Sequence, residues 1–232
     1  MNGRLHAYCI DARAAAALPD YFFACLPDAE RRRIGQLERP QDRLNRKVGY
    51  AALHWLACRH RGLEPSHIQI ARDPDGKPLL RLPSGVPPLH VSLAHSGHFA
   101  LLALASCPVG VDIEQIRPID ARLLKRDYFP RDALAADAPE AVFFAWWTLK
   151  EAALKAVGKG LGIDPSLIVA KPPERRFLAL DDWPAGHGLE TLRVASLAAP
   201  AGYAAAIAAA HPHPRVKVLQ LVTDALLRVT KC

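Results

Sequence analysis

Between Asp42 and Arg61 the apolar residues fall at positions 44, 48, 51, 52, 53, 55 and 56. That spacing keeps them on one side of a 3.6-residue turn and predicts an amphipathic helix that Gly62 ends. A second segment of the same kind, over 139–158, carries Trp146, Trp147, Leu149 and Leu154 and stops at glycines. Elsewhere the apolar runs are short. Those at 67–72, 89–94, 99–105 and 109–114 are separated by Asp73-Pro-Asp-Gly-Lys-Pro78 and Pro83-Ser-Gly-Val-Pro-Pro88, and they read as strands between turns. An apolar hairpin follows around 192–208.

The pattern repeats. Gly62-Leu-Glu-Pro-Ser-His-Ile68 recurs as Gly162-Ile-Asp-Pro-Ser-Leu-Ile168 with the same turn chemistry. Upstream, Ala51-Ala-Leu53 corresponds to Ala152-Ala-Leu154; downstream, the hairpin at 89–105 corresponds to that at 192–208. Three matches in one order predict two copies of one supersecondary unit. The expected class is α+β: two similar α/β halves, each a helix packed on a small, mostly antiparallel sheet. They are expected to span 1–115 and 116–232 in a pseudo-twofold arrangement, with the active site at their interface.

Half of the 232 residues are hydrophobic, as a globular chain requires. The formal charge of +7 suits acidic partners, from phosphorylated metabolites to acidic proteins. Nucleic acid is not expected, because no basic stripe interleaves with aromatics. Cysteines at 9, 25, 58, 107 and 232 form no CxxC pair or His/Cys metal spacing, so a reducing cytoplasm is the expected location. No signal peptide or apolar run of about 20 residues is visible, and no membrane association is expected.

Candidate chemistry gathers in two places. In Val109-Gly-Val-Asp-Ile-Glu114, strand geometry turns the carboxylates of Asp112 and Glu114 to the same side. Such acids either face water at a strand end or hold Mg²⁺, a hard cation that takes carboxylates, waters and phosphate oxygens. On the second helix Glu151 and Lys155 share a face, with Lys150 beside them; this is either a surface ion pair or part of a phosphate site. The first helix has His54 in the neighbourhood where Glu151 would fall, so only the second copy carries the acid. His95 lies in a Ser96-Gly97 turn open to close approach by a ligand. Arg31, Arg32, Arg33, Arg39, Arg43, Arg46 and Lys47 form the densest positive region, either a solvated helix face or a phosphate contact. Lys77 sits in a tight Gly-Lys-Pro turn.

Gly110-Val-Asp-Ile-Glu114 followed by Trp147-Thr-Leu-Lys-Glu-Ala-Ala-Leu-Lys155 resembles the paired signature motifs of the 4′-phosphopantetheinyl transferases. Chain length, the Gly-Lys-Pro turn and the His95-Ser96-Gly97 turn resemble the longer, surfactin-synthetase-activating type. The resemblance spans roughly residues 25–210. It implies transfer of phosphopantetheine from coenzyme A to a serine of an acyl carrier protein or peptidyl carrier domain, releasing adenosine 3′,5′-bisphosphate. It also implies Mg²⁺ on Asp112, Glu114 and Glu151, catalytic roles for Glu151 and Lys155, and coenzyme A contacts from Arg32, Arg43, Lys77, His95, Lys150 and Lys155. Members commonly have Asn-x-Ser-His where this chain has Ser92-Leu-Ala-His95. A monomer is expected, since the duplication already supplies both sides of the site. A Mg²⁺-dependent hydrolase of a nucleotide pyrophosphate would use the same acids and lysines, with water in place of the carrier.

Overall fold

A computed structural model describes residues 4–15, 18–135, 137–159, 162–184 and 191–221. Strand β1 (Arg4–Asp11) leads into helices α1 (Ala12–Ala15), α2 (Asp20–Phe23), α3 (Asp28–Gly35) and the long α4 (Pro40–Arg61). Next come a hairpin of β2 (Gln69–Arg72) and β3 (Pro78–Arg81), then β4 (His90–Ser96), β5 (Phe99–Ala105) and β6 (Val109–Gln115). Helices α5 (Ala121–Tyr128) and α6 (Glu140–Val157) precede β7 (Leu178–Ala179), β8 (Leu192–Ser196), β9 (Tyr203–Ala210) and β10 (Arg215–Leu221).

Local chemistry sets the long helices. Proline stands at the start of α4, where its missing N–H costs no helical bond. Gly62 and Gly158 end α4 and α6 in the left-handed conformation, at φ 62° and 85°, which only glycine adopts without strain. The duplicated Pro-Ser turns both form 3₁₀ turns, Pro65–His67 and Pro165–Leu167, and each is followed by a buried isoleucine, Ile68 or Ile168.

Among the described residues two four-stranded sheets result, with orders β10-β1-β5-β4 and β6-β9-β8-β7. All pairings are antiparallel except β1 with β10. The orders β1-β5-β4 and β6-β9-β8 correspond, so the repeated unit begins with a strand ahead of its helix. This corrects one expectation. Residues 109–115 do not end the first sheet; they open the second, pairing with β9 from Val109↔Ala209 to Gln115↔Tyr203. A division after residue 115 separates β6 from its own sheet.

Period-two alternation builds the layers. Leu102 and Leu104 of β5 pack toward α4 with Val48, Ala52 and Leu56, while Leu101, Ala103 and Ala105 turn the other way. There they meet Val109, Val111 and Ile113 of β6 and Ala205, Ile207 and Ala209 of β9, so the inner faces of both sheets share one core. The outer face of the second sheet takes α6 through Leu149, Ala152, Ala153 and Ala156 against Leu192, Val194, Ala206 and Ala208. Serines stitch the seam between the sheets. Ser92 and Ser96 of β4 accept hydrogen bonds from Val111 N (3.1 Å) and Gln115 N (3.0 Å) of β6.

Candidate active site

In β6 the alternation that sends Val109, Val111 and Ile113 inward presents Gly110, Asp112 and Glu114 to α6. Gly110 is where the helix crosses. A Cβ there would stand 2.0 Å from the Ala152 carbonyl oxygen and 2.3 Å from Ala156 N, so only glycine lets α6 lie this close. One helical turn spans the residues that then face the acids, Glu151 and Lys155.

Lys155 Nζ donates to Asp112 Oδ1 at 2.6 Å. The other carboxylate oxygen of Asp112 is buried without a hydrogen-bond partner. Glu114 accepts from Ser96 Oγ at 2.8 Å and pairs with Arg117 at 3.3 Å. Burial, and then the charge of Asp112, raise the pKa of Glu114. Burial is also the main cause that raises Glu151, with Asp112 and Glu114 adding and Lys155 opposing. Burial alone would lower Lys155, but Asp112, Glu151 and Glu114 outweigh it and hold the ammonium above its ordinary range. Lys155 and the more exposed Arg117 are thus set against three carboxylates, an arrangement short of positive charge.

Among the described residues, no three His, Cys, Asp or Glu side chains form a preassembled metal cluster. The donor chemistry nevertheless fits a hard cation: carboxylate oxygens only, one of them an orphaned buried atom.

Beside the acids lies a cavity of about 250 Å³ lined by Arg46, Tyr50, Arg72, Asp75, Lys77, His95, Lys155 and their neighbours. Its walls come from α4, the β2–β3 turn, β4 and the end of α6. Positive side chains predominate, as a phosphate-bearing ligand requires. Burial, followed by Arg46, lowers the pKa of His95, whereas Asp42 and Asp112 pull the other way.

Several expected residues stand elsewhere. Lys150 is fully buried on the far side of α6, where Nζ donates to Asp132 Oδ2 (2.6 Å), Tyr128 O (2.7 Å) and Pro165 O (3.1 Å). All three ammonium protons are used, so Lys150 is a structural group rather than a coenzyme A contact. Successive residues of a helix point about 100° apart, which is how Lys150 and Glu151 part company. Arg32 is exposed on α3, and Arg43 donates to Leu37 O at 3.1 Å; neither lines the cavity. Arg46, one turn beyond Arg43, and Arg72 take that place. Lys77 does line it, but its ammonium donates to Ala156 O (3.0 Å) and Val109 O (3.2 Å), tying the β2–β3 turn to α6 and β6. The space that Gly97 leaves, at φ 55°, is filled by the Tyr203 hydroxyl and Gln115 rather than left open. The sequence marked Arg46 only as one member of the basic region, and nothing in it marked Arg72.

Known proteins resemble this chain in sequence. Residues 108–208 match the family model described as the 4′-phosphopantetheinyl transferase superfamily, and residues 18–107 match the N-terminal model of 4′-phosphopantetheinyl transferase. A 4′-phosphopantetheinyl transferase of Bacillus subtilis is 25% identical over 214 residues, covering 90% of this chain and 93% of that protein. The transferase HetI of Nostoc is 30% identical over 65% of this chain and 67% of its own length. Psf-1 of Bacillus pumilus is 38% identical over 48% of this chain and 49% of its own. The chain therefore belongs to the 4′-phosphopantetheinyl transferase superfamily, as an enzyme of the type found in these Bacillus proteins. The junction between the matched regions falls at the turn before β6, where the second sheet begins.

Proposed function

We propose that the enzyme transfers 4′-phosphopantetheine from coenzyme A to a serine of an acyl or peptidyl carrier protein. The observation that carries this reading is the buried Asp112, with one oxygen on Lys155 and the other unpartnered, facing α6 beside Glu114 and a positive cavity. Asp112, Glu114 and Glu151 would hold Mg²⁺. When bound, it would offset the charge of the pyrophosphate. The two related units meet across the cavity in a pseudo-twofold manner, the second supplying the carboxylates and the first supplying Arg46, Arg72, Lys77 and His95.

The chain's own residues then have definite tasks. The carrier's serine oxygen bonds to the β-phosphorus of coenzyme A as the bond from that phosphorus to the bridging oxygen breaks, and adenosine 3′,5′-bisphosphate leaves with the electron pair. Glu151, made more basic by burial, takes the serine proton. Lys155, held protonated by three carboxylates, neutralises the departing phosphate. Family membership supports a carrier serine over water as the acceptor, against the hydrolase alternative. Incubation of an apo carrier protein with the enzyme, coenzyme A and Mg²⁺ is expected to add the mass of one phosphopantetheine. Release of bisphosphate with no gain of mass by any carrier would refute the reading.

A further inference from the structure

A single carboxylate lies behind the positive wall of the cavity. Glu30 of α3 is 4% exposed and accepts from Arg46 Nε and Arg72 Nη2, both at 3.0 Å, with Arg33 at 3.7 Å. The Tyr50 hydroxyl also takes a hydrogen bond from Arg72, and both guanidinium groups lie over the Tyr50 ring, Arg46 at 5.8 Å and Arg72 at 5.1 Å. Arg72 Nη1 reaches Gly76 O at 2.6 Å, in the turn that carries Lys77. One buried acid therefore joins α3, α4 and the β2–β3 turn.

Charge and placement give the cluster a purpose beyond packing. Three guanidinium groups surround one carboxylate, so the surplus is positive, and it is Arg46 and Arg72 that face the cavity. Lys155 supplies positive charge separately, at the acids on β6 and α6. The positive wall of Arg46 and Arg72 thus stands apart from the acids where a pyrophosphate and its cation would lie, and it suits a ligand that carries a further phosphate group. An arginine anchored from behind has lost its rotamer freedom before the ligand arrives, so binding need not order it.

We propose that Glu30 is a positioning residue that fixes Arg46 and Arg72 in the cavity wall and thereby sets the site's preference for a donor bearing a phosphate monoester in addition to its pyrophosphate. This rests on the coenzyme A reading above. Calorimetric titration of the whole enzyme with coenzyme A and with 3′-dephospho-coenzyme A tests it. The wild type is expected to prefer coenzyme A by about tenfold or more, and Glu30→Gln to weaken coenzyme A by about that factor while leaving the dephospho compound within about threefold. kcat at saturating coenzyme A should change little. Glu30→Asp, which keeps the charge but withdraws it by one methylene, should give an intermediate ratio and serves as the test if Glu30→Gln does not fold. A role confined to stability would weaken both compounds alike. An unchanged ratio in a folded variant overturns the positioning role alone; failure of the wild type to bind either compound overturns the donor assignment with it.

Discussion

Replacing Gly110 by alanine tests the link between packing and chemistry at one atom. The added methyl would lie 2.0 Å from the Ala152 carbonyl oxygen, 2.3 Å from Ala156 N and 2.9 Å from the Lys155 carbonyl carbon. These are backbone atoms of α6, which cannot rotate away as a side-chain tip can. Ordinary carbon contacts lie near 3.5 Å, so the helix must retreat by about 1 Å or more. The helix packs through Ala152, Ala153 and Ala156 on Ala206 and Ala208, and separation leaves a gap that these small side chains cannot refill. Overpacking of this kind costs about 3 kcal/mol, equivalent to a fall in melting temperature of about 6–12 °C for a chain of this size. The same retreat pulls Lys155 off Asp112, now at 2.6 Å, and carries Glu151 with it. A displacement of about 1 Å at reacting groups lowers kcat/KM by about a hundredfold. Thermal denaturation and mass-resolved carrier modification measure the two effects, with Gly35→Ala as control, because its Cβ would meet nothing within 4 Å. A Gly110→Ala enzyme with the wild-type melting temperature and activity within threefold would refute the claim that glycine is there for helix approach.

Asp112→Asn should reduce transfer by at least about a hundredfold in the mass assay. Its melting temperature should change by only a few degrees, because relief of Glu114 and Glu151 opposes the lost charge partner of Lys155; a loss of stability that matches the loss of activity would contradict this. Asp132→Ala should cost about 3–5 kcal/mol in urea denaturation by leaving the Lys150 ammonium buried and unpaired, and Asp132→Ala with Lys150→Met should recover most of that loss. Burial chiefly lowers the pKa of Lys77 to about 8 from 10.5, so between those values the unfolded chain binds more protons than the folded one, and stability rises with pH. The rise amounts to about 3 kcal/mol at most. Urea midpoints measured from pH 7 to 10.5 should lose this increment in Lys77→Met; identical slopes in the two proteins would argue against it.

Much of the fold can be read from the chain because its signals are local. The apolar spacing of α4 and α6, the left-handed glycines that end them and the paired Pro-Ser turns all reappear where periodicity puts them. Membership of β6 is different. Val109-Gly-Val-Asp-Ile-Glu114 looks the same whichever sheet it joins; only its long-range pairing with β9 decides, and that lies beyond local pattern. β1 and β10 depend on the same kind of distant pairing. At the site, the charges were visible but their directions were not. Lys150 is adjacent in sequence to Glu151 yet points into the core, while Glu30, inside an arginine-rich run, is buried because Arg46 and Arg72 come from elsewhere to meet it.

The parallel pairing of β1 with β10 bears on how the chain is made. Arg4 aligns with Arg215, and Leu5 with Val216, so during synthesis β1 waits for a strand far along the chain. Until β10 arrives, one edge of β1 stands open beside the apolar core that both sheets share, and Val216 and Val218 are absent from it. Contacts so far apart in sequence are slow to close, and an open strand edge in the interval is a template for other chains. Fragments ending before β10 should therefore be recovered mainly as aggregate, and the interval before β10 is made becomes the one in which this enzyme most needs a chaperone.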